Sequence, residues 1–479
     1  MSGIFGVISK KDCSQDLIYG VDYHSHLGAE YGGIAISRED GFFRRIHSIR
    51  QNQFKSKFYG EIEGIKGDKG IGVVSDSDEQ PIFQNSKLGP FCIVTNGNLV
   101  NAESLTQKMF EDGITLSEVT NGSVNMTEIV AKLIAKESDF VSGIEKLFNL
   151  IDGACSLLIV NKDGIYAARD RVGYSPLVVG KKDSSWAVTT ETTAFHNLGF
   201  KIVKYLEPGE IVFIDKDGMT LKSEPRDDMQ ICSFLWMYTG FPASNYEGIN
   251  VEIARERSGA LLAQGDKDLK PDLVCGVPDS GTAHAIGYAM ESKVPFRRPL
   301  VKYTPGYGRS YTPANQSMRD LVATMKLISV SDIIKDNKIV LCEDSIVRGT
   351  QLKNFTITKL WNSGASEIHV RVASPPLMFP CKYNISTRTT KELVARRAIR
   401  DIEGQDLDDV SEYLNPETDK YNKMVDWVKE DTGVSSLRYQ TIEDMIKAIG
   451  LPREKLCLYC WNGKCPKKVK SEVSNSSSK

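Results

Sequence analysis

The stretch Val340-Leu-Cys-Glu343-Asp344-Ser345-Ile346-Val347-Arg348-Gly349-Thr350 decides how this chain folds. It opens on Ile339–Cys342, an apolar run of strand length, and it closes on a helix-like pattern from Leu352 to Trp361. Between them, two adjacent carboxylates stand at a strand end, where they can accept hydrogen bonds from a vicinal diol. The turn that follows opens a helix, and so presents backbone N–H groups and the positive end of the helix dipole to a phosphate. Gly349 lets the backbone approach an anion closely, and Ser345 and Thr350 add hydroxyl donors. A diol clamp beside a phosphate cradle suits a ribose 5-phosphate. A strand that merely ends in a polar helix cap would explain an acidic pair, but not the whole ordered string.

Working outward, the same design occurs upstream. Leu273–Val277 reads as a buried strand, runs into Pro278-Asp279-Ser280-Gly281, and is followed by a helix-like Ala283–Met290. Glu367–Val372 supplies a third strand. Strand, loop, helix, strand is the grammar of a parallel sheet that binds ligands at the carboxyl ends of its strands. Before about residue 230 the grammar differs. Ile4–Ser9, Phe91–Thr95, Ala154–Val160 and Ile211–Ile214 are strand-length runs between Gly, Asn and Asp turns, with a helical pattern over Glu128–Lys136. Strands and helices in blocks predict a layered α+β domain. The expected organisation is an α+β domain over 1–230, an α/β domain with a parallel sheet over 231–465, and a Lys- and Ser-rich tail over 466–479 with too little apolar surface to fold. There is no internal repeat.

Composition bounds the function. The chain has 479 residues, 41% hydrophobic and 25% charged, as in an ordinary globular protein. Its 60 Lys+Arg and 62 Asp+Glu leave a formal charge of −2, which gives no reason to expect a nucleic-acid or membrane-surface partner. No apolar run reaches the roughly 18 residues of a spanning helix, and the start lacks a signal-peptide pattern. A cytoplasmic location is the expectation. The 10 cysteines are too few for a disulfide scaffold of this length. Most sit singly (Cys13, Cys92, Cys155, Cys275, Cys342), and the exception is Cys457-Leu-Tyr-Cys460 with Cys465 behind it. Two thiolates at that spacing can hold one metal or a cluster edge, but need two further ligands.

The run Asp344-Ser-Ile-Val-Arg-Gly-Thr350 is similar to the signature of the type I phosphoribosyltransferases and resembles the amidophosphoribosyltransferase family in particular. Glu343 stands where that family has Asp, although purine-salvage relatives of the same fold carry Glu-Asp. Gly276-Val-Pro-Asp279-Ser280-Gly281 resembles the pyrophosphate-binding loop, with Gly281 where a hydroxyl residue able to meet Mg²⁺ is usual. Lys302–Tyr311, with Gly306, Gly308 and Arg309, resembles the loop that closes over phosphoribosyl pyrophosphate and excludes water. Arg169-Asp170 ahead of Gly173 and Pro176, and Glu207-Pro-Gly-Glu210, also match family segments. The resemblance covers roughly residues 1–465, with an apparent insertion around 402–424.

The resemblance implies an N-terminal-nucleophile-hydrolase-like αββα glutaminase domain followed by a phosphoribosyltransferase domain. It implies a transferase of purine biosynthesis that displaces pyrophosphate from phosphoribosyl pyrophosphate to form 5-phosphoribosylamine. Glu343 and Asp344 would hold the ribose diol, directly or through Mg²⁺. Ser345, Ile346, Val347, Arg348, Gly349 and Thr350 would bind the 5-phosphate. Asp279, Ser280 and Gly281 would face the pyrophosphate, and Arg309 would help close the loop. The resemblance also supplies partners for the C-terminal cysteines: Cys232 and Cys381, with Cys457 and Cys460, match a branch of the family that binds a structural 4Fe–4S cluster. Ligand chemistry alone would equally allow zinc.

The N-terminal half departs from the family. Ser2 occupies the position of the nucleophilic cysteine. The segment expected to carry His-x-Arg-Tyr reads Gly72-Val-Val-Ser-Asp-Ser-Asp78, and the helix expected to carry Gln-His-Arg-Gly reads Ser25-His-Leu-Gly28. The acidic residue that would meet the glutamine amino group is replaced, within Asn125-Met-Thr-Glu128, by Met126. An apolar side chain cannot hold an ammonium group. Only Asn96-Gly97-Asn98, similar to the oxyanion-hole turn, remains, and the preferred reading of it is a tight turn that the fold needs anyway. A silent glutaminase is therefore expected, with ammonia taken from solution or from a separate subunit. The alternatives are a glutamine-dependent enzyme using Ser2, a regulator that binds ligand without turnover, and a transferase with another amine acceptor. A homotetramer regulated by purine nucleotides is carried over from the family.

Overall fold

The computed structural model describes residues 2–120, 122–303, 325, 327–383 and 389–464. The chain divides into two compact units: residues up to Cys232 with a short return beginning at Lys382, and Ser233–Cys381 with a later stretch ending at Lys464. The expected tail, 466–479, and Arg309 lie outside the described residues.

In the first unit, Gly3–Ser9 alternates its side chains between two cores. Phe5 and Val7 pack with Leu17, Ile18 and Val21 of the helix Ser14–Asp22. Ile4 and Ile8 pack with Cys92, Val94, Leu158 and Val160. Those last four come from Gly89–Leu99 and Gly153–Val160, whose alternate residues Phe91, Ile93, Leu157 and Ile159 meet the helices Met126–Ala135 and Phe140–Leu150. The period of two thus generates four layers: helix, sheet, sheet, helix. The first sheet has seven strands, in the order Lys201–Tyr205, Val178–Lys182, Ser185–Thr189, Gly3–Ser9, Lys69–Ser75, Tyr31–Arg38, Gly41–Ser48. The second has six, from Met219–Ser223 through Ile211–Ile214, Ile165–Ala168, Gly153–Val160 and Gly89–Leu99 to Ile82–Ser86. Every pairing in both is antiparallel. This is the αββα architecture expected from the resemblance.

The second unit is built on four parallel strands in the order Leu273–Gly276, Lys338–Glu343, Glu367–Val372, Ser436–Tyr439. Both faces are covered, as parallel sheets require. Cys275, Ile339, Leu341, Ile368 and Val370 belong to one core, and Val274, Val340 and Cys342 to the other with Leu262, Ala285 and Tyr288. Three of these strands were legible in the sequence, and the short fourth was not. The helix expected over Leu352–Trp361 begins as a π-helical stretch, Leu352–Ile357, before Thr358–Asn362 continues as α-helix. Residues 402–424, read as an insertion, are integral to this unit. Val410, Tyr413, Tyr421 and Met424 are buried in its larger core.

Candidate functional site

Gly276 and Cys342 are register partners on adjacent parallel strands, so the two loops that leave them start side by side. The Val277 N–H donates to the Cys342 carbonyl at 3.0 Å. The first loop turns into the helix Thr282–Ser292 at Gly281. A Cβ on Gly281 would stand 2.1 Å from the Cys342 carbonyl oxygen, so no side chain fits there without moving backbone. The missing hydroxyl at this position thus follows from close packing of loop on strand. Ser280 Oγ instead approaches the neighbouring strand end, 3.5 Å from Glu343 Oε1. Asp279 is largely exposed and pairs with Lys302 at 2.8 Å, a contact the sequence did not announce.

Glu343 ends its strand with Oε2 buried and without a protein partner among the described residues. Asp344 is buried beside it and accepts a bond from Ser345 Oγ at 2.5 Å. Burial, then the Asp344 charge, pushes the Glu343 carboxyl well above its usual range. Burial likewise raises Asp344 to about 6, against the lowering effects of the Ser345 hydroxyl and the Arg255 charge. Two adjacent buried carboxyls whose charged forms burial disfavours, one with an orphaned oxygen, are what a cation or a diol would satisfy. The donor set therefore fits Mg²⁺. The turn beyond them has Gly349 at φ +78°, a conformation only glycine adopts freely. Among the described residues, no backbone N–H from Ser345 to Thr350 donates to a backbone carbonyl. A run of unengaged amides ahead of a helix is an anion cradle. The structure thus brings Asp279, Ser280, Gly281 and the Glu343–Thr350 string to one end of one sheet.

In the first unit, Ser2 is buried, its N–H donates to Asn96 Oδ1 at 3.3 Å, and its Oγ lies 3.3 Å from Ser75 Oγ. Ser75 belongs to the segment expected to hold an arginine. Asp78 of that segment is buried, and its Oδ2 accepts from the N–H and Oγ of Thr127 at 3.1 and 3.3 Å. Burial raises its carboxyl to about 6, with those bonds opposing. Glu128 faces elsewhere, accepting from the Ser117 and Glu118 N–H groups at 2.9 and 2.7 Å. Asn96-Gly97-Asn98 lies within the strand Gly89–Leu99 rather than in a turn. Gly97 has φ +144°, and a Cβ there would stand 1.9 Å from the Ala154 carbonyl oxygen. Ser25–Gly28 is a turn after the helix Ser14–Asp22, with His26 paired to Glu191 at 2.8 Å.

Residues 69–197 match the family model described as a glutamine amidotransferase domain. Amidophosphoribosyltransferase of Bacillus subtilis is 31% identical, over 98% of this chain and 94% of its own. The chain belongs to the amidophosphoribosyltransferase family. The same enzyme of Methanocaldococcus jannaschii is 30% identical over 98% of this chain and 99% of its own. The solved structure of the Bacillus subtilis glutamine phosphoribosylpyrophosphate amidotransferase, complexed with ADP and GMP, matches with a TM-score of 0.83 at 29% identity, covering 98% of each chain. Membership makes this an enzyme of the phosphoribosyltransferase class and accounts for the pairing of an αββα unit with a parallel-sheet unit.

Other family segments are structural in this amidophosphoribosyltransferase relative. Arg169 is buried and donates to the Leu206 and Gly173 carbonyls at 2.5 and 2.7 Å. Asp170 accepts from the Val172, Tyr174 and Ser175 N–H groups. Burial raises the thiols of Cys13, Cys92, Cys155, Cys275 and Cys342, which keeps them protonated. Among the described residues, no group of three or more His, Cys, Asp or Glu side chains is arranged to hold a metal ion. The thiolates of Cys232, Cys381, Cys457 and Cys460 are chemically suited to zinc and to an iron–sulfur cluster alike. No helix among the described residues is long and apolar enough to cross a membrane.

Proposed function

We propose that this enzyme forms 5-phosphoribosylamine from phosphoribosyl pyrophosphate in purine biosynthesis, with ammonia rather than glutamine as the amine donor. In this reading the ammonia nitrogen bonds to C1 of the ribose. The C1–O bond breaks, its electron pair leaves on pyrophosphate, and the nitrogen sheds a proton. Glu343 and Asp344 hold the ribose diol or a Mg²⁺ ion. The amides and hydroxyls of Ser345–Thr350 hold the 5-phosphate, and Asp279–Gly281 face the pyrophosphate. Mg²⁺, when bound, neutralises charge on the leaving pyrophosphate. The remaining rate advantage comes from positioning. Arg309 is assigned to loop closure on the resemblance alone. The observation that carries the reading is the buried, unpartnered Glu343 Oε2 next to an unengaged run of amides.

The glutaminase reading is negative because the pocket's polar groups satisfy one another. Ser2 is bonded to Ser75, Asp78 to Thr127, and Met126 offers no charge. Ammonia then comes from solution or from a separate subunit. The αββα scaffold is assigned to 1–230 and the transferase to 231–465. A 4Fe–4S cluster on Cys232, Cys381, Cys457 and Cys460, a homotetramer, and a cytoplasmic location are proposed from the resemblance.

The test is pyrophosphate release from phosphoribosyl pyrophosphate and Mg²⁺ in anaerobically purified protein, with ammonium chloride and glutamine supplied separately. Turnover with ammonium alone is expected. Equal turnover with glutamine, abolished by Ser2→Ala, would overturn the reading of the N-terminal pocket. Binding without release from either would make the protein a ligand-binding regulator or a transferase to another amine.

A further inference from the structure

The phosphate turn is held from outside by residues 392–397, a segment that the sequence reading did not single out. Three successive carbonyls of the turn are occupied by protein donors. Val347 O accepts from the Val394 N–H at 2.8 Å, Arg348 O from Arg397 Nη2 at 3.0 Å, and Gly349 O from the Lys353 N–H at 2.9 Å. The Arg348 guanidinium is drawn to the same segment, 2.6 Å from Glu392 Oε2. Arg397 is itself seated: its Nη2 lies 3.6 Å from Asp431 Oδ2, and its guanidinium stands 5.8 Å from the centre of the Trp427 ring. The other Asp431 oxygen accepts from Lys353 Nζ at 3.2 Å, so one carboxylate ties together both flanks of the turn.

A peptide unit next to glycine rotates at little steric cost, because glycine tolerates both signs of φ. Rotation of the 348–349 peptide would aim the Arg348 carbonyl, rather than the Gly349 N–H, at an incoming anion. A phosphate is repelled by the first and bound by the second. Of the three carbonyl contacts, the one at Arg348 is made by a charged side chain, which is the stronger kind of hydrogen bond.

We infer that Arg397, seated by Asp431, is a positioning residue that fixes the peptide orientation of the phosphate turn and so sets affinity for the sugar 5-phosphate. The inference deepens the proposed transferase reading and rests on it. Arg397 touches no substrate, so its loss weakens ground state and transition state alike. KM rises while kcat stays nearly constant.

Calorimetric titration with ribose 5-phosphate and with ribose, alongside steady-state kinetics with phosphoribosyl pyrophosphate, separates the cases. Wild type binds ribose 5-phosphate and not ribose. Arg397→Ala weakens that binding, and raises KM, by about tenfold or more, the usual worth of one charge-assisted hydrogen bond. Arg397→Lys restores part of the loss. Arg400→Ala, which removes the same charge from the same helix at a residue bonded to Asp406 and the Lys391 carbonyl, has little effect. Equal loss from Arg400→Ala, or none from Arg397→Ala in a protein that still binds ribose 5-phosphate, overturns the inference alone. Wild type that binds no ribose 5-phosphate overturns the transferase reading and the inference with it.

Discussion

A carboxylic acid buried among hydroxyls and amides, as Asp78 is, gives its proton up late. Its carboxyl is raised from 3.8 to about 6, with burial as the main cause. The folded chain therefore holds this proton more tightly than the unfolded chain. Its stabilising contribution is complete below about pH 4 and is lost as the pH rises through about 6. A shift of about two units corresponds to roughly 3 kcal/mol. Asp78→Asn is expected to flatten this part of the pH dependence, and chemical denaturation of both proteins at pH 5 and pH 7.5 measures it. Parallel pH dependences would show that Asp78 is already ionised at pH 5. The same scale shows what a sequence can and cannot announce. Glu343, Asp344 and Gly349 were legible because their order along the chain is their order in the site. Asp78 was not, because its partner Thr127 comes from a distant helix start. Arg397 was not, because a basic residue on a polar helix reads as solvated surface until the carbonyl it holds is known.

Among the elements, the stretch around 402–424 changes most between sequence and structure. It stands out in the sequence only as an apparent insertion relative to the family pattern, and in the structure Tyr413 within it is 1% exposed and its hydroxyl donates to Glu403 at 2.6 Å. The short turn of 3₁₀ helix Ser411–Leu414 is pinned between the helices Val394–Glu403 and Asp419–Thr432. Tyr413→Ala is expected to destabilise the second unit by about 3–5 kcal/mol, as large-to-small changes in a packed core do. Tyr413→Phe keeps the ring and loses only the hydrogen bond. Denaturant unfolding of the full chain reads both, and a cost below about 1 kcal/mol for the alanine variant would mean the segment is not part of the core. The element level also explains why strands were found and one was missed. Glu367–Val372 has six residues of unbroken β-type pattern, whereas Ser436–Tyr439 has four and acquires its strand character only by pairing with His369–Val372.

At the level of the whole molecule, the change of strand and helix grammar near residue 230 was legible in the sequence pattern, whereas the αββα layering was expected from the resemblance. What the sequence pattern does not fix is the state of the four cysteines. Coordination by four thiolates selects iron–sulfur clusters and zinc alike. Metal analysis of anaerobically purified protein is expected to give iron and acid-labile sulfide in equal amounts, lost on Cys457→Ser. Zinc without sulfide would correct the assignment, and absence of both from intact protein would remove the centre. The amine source is a property of the same scale: in the proposed reading, ammonia is delivered by the solvent or by another protein.

The mutual bonding of Ser2 and Ser75 couples the two positions. Each hydroxyl completes the other's surroundings, and Asp78 accepts from Thr127 in the first turn of the helix Met126–Ala135. Replacing either serine would leave the other hydroxyl without this partner. In the proposed reading, a working glutamine site would require several of these mutually bonded positions to change together rather than one alone.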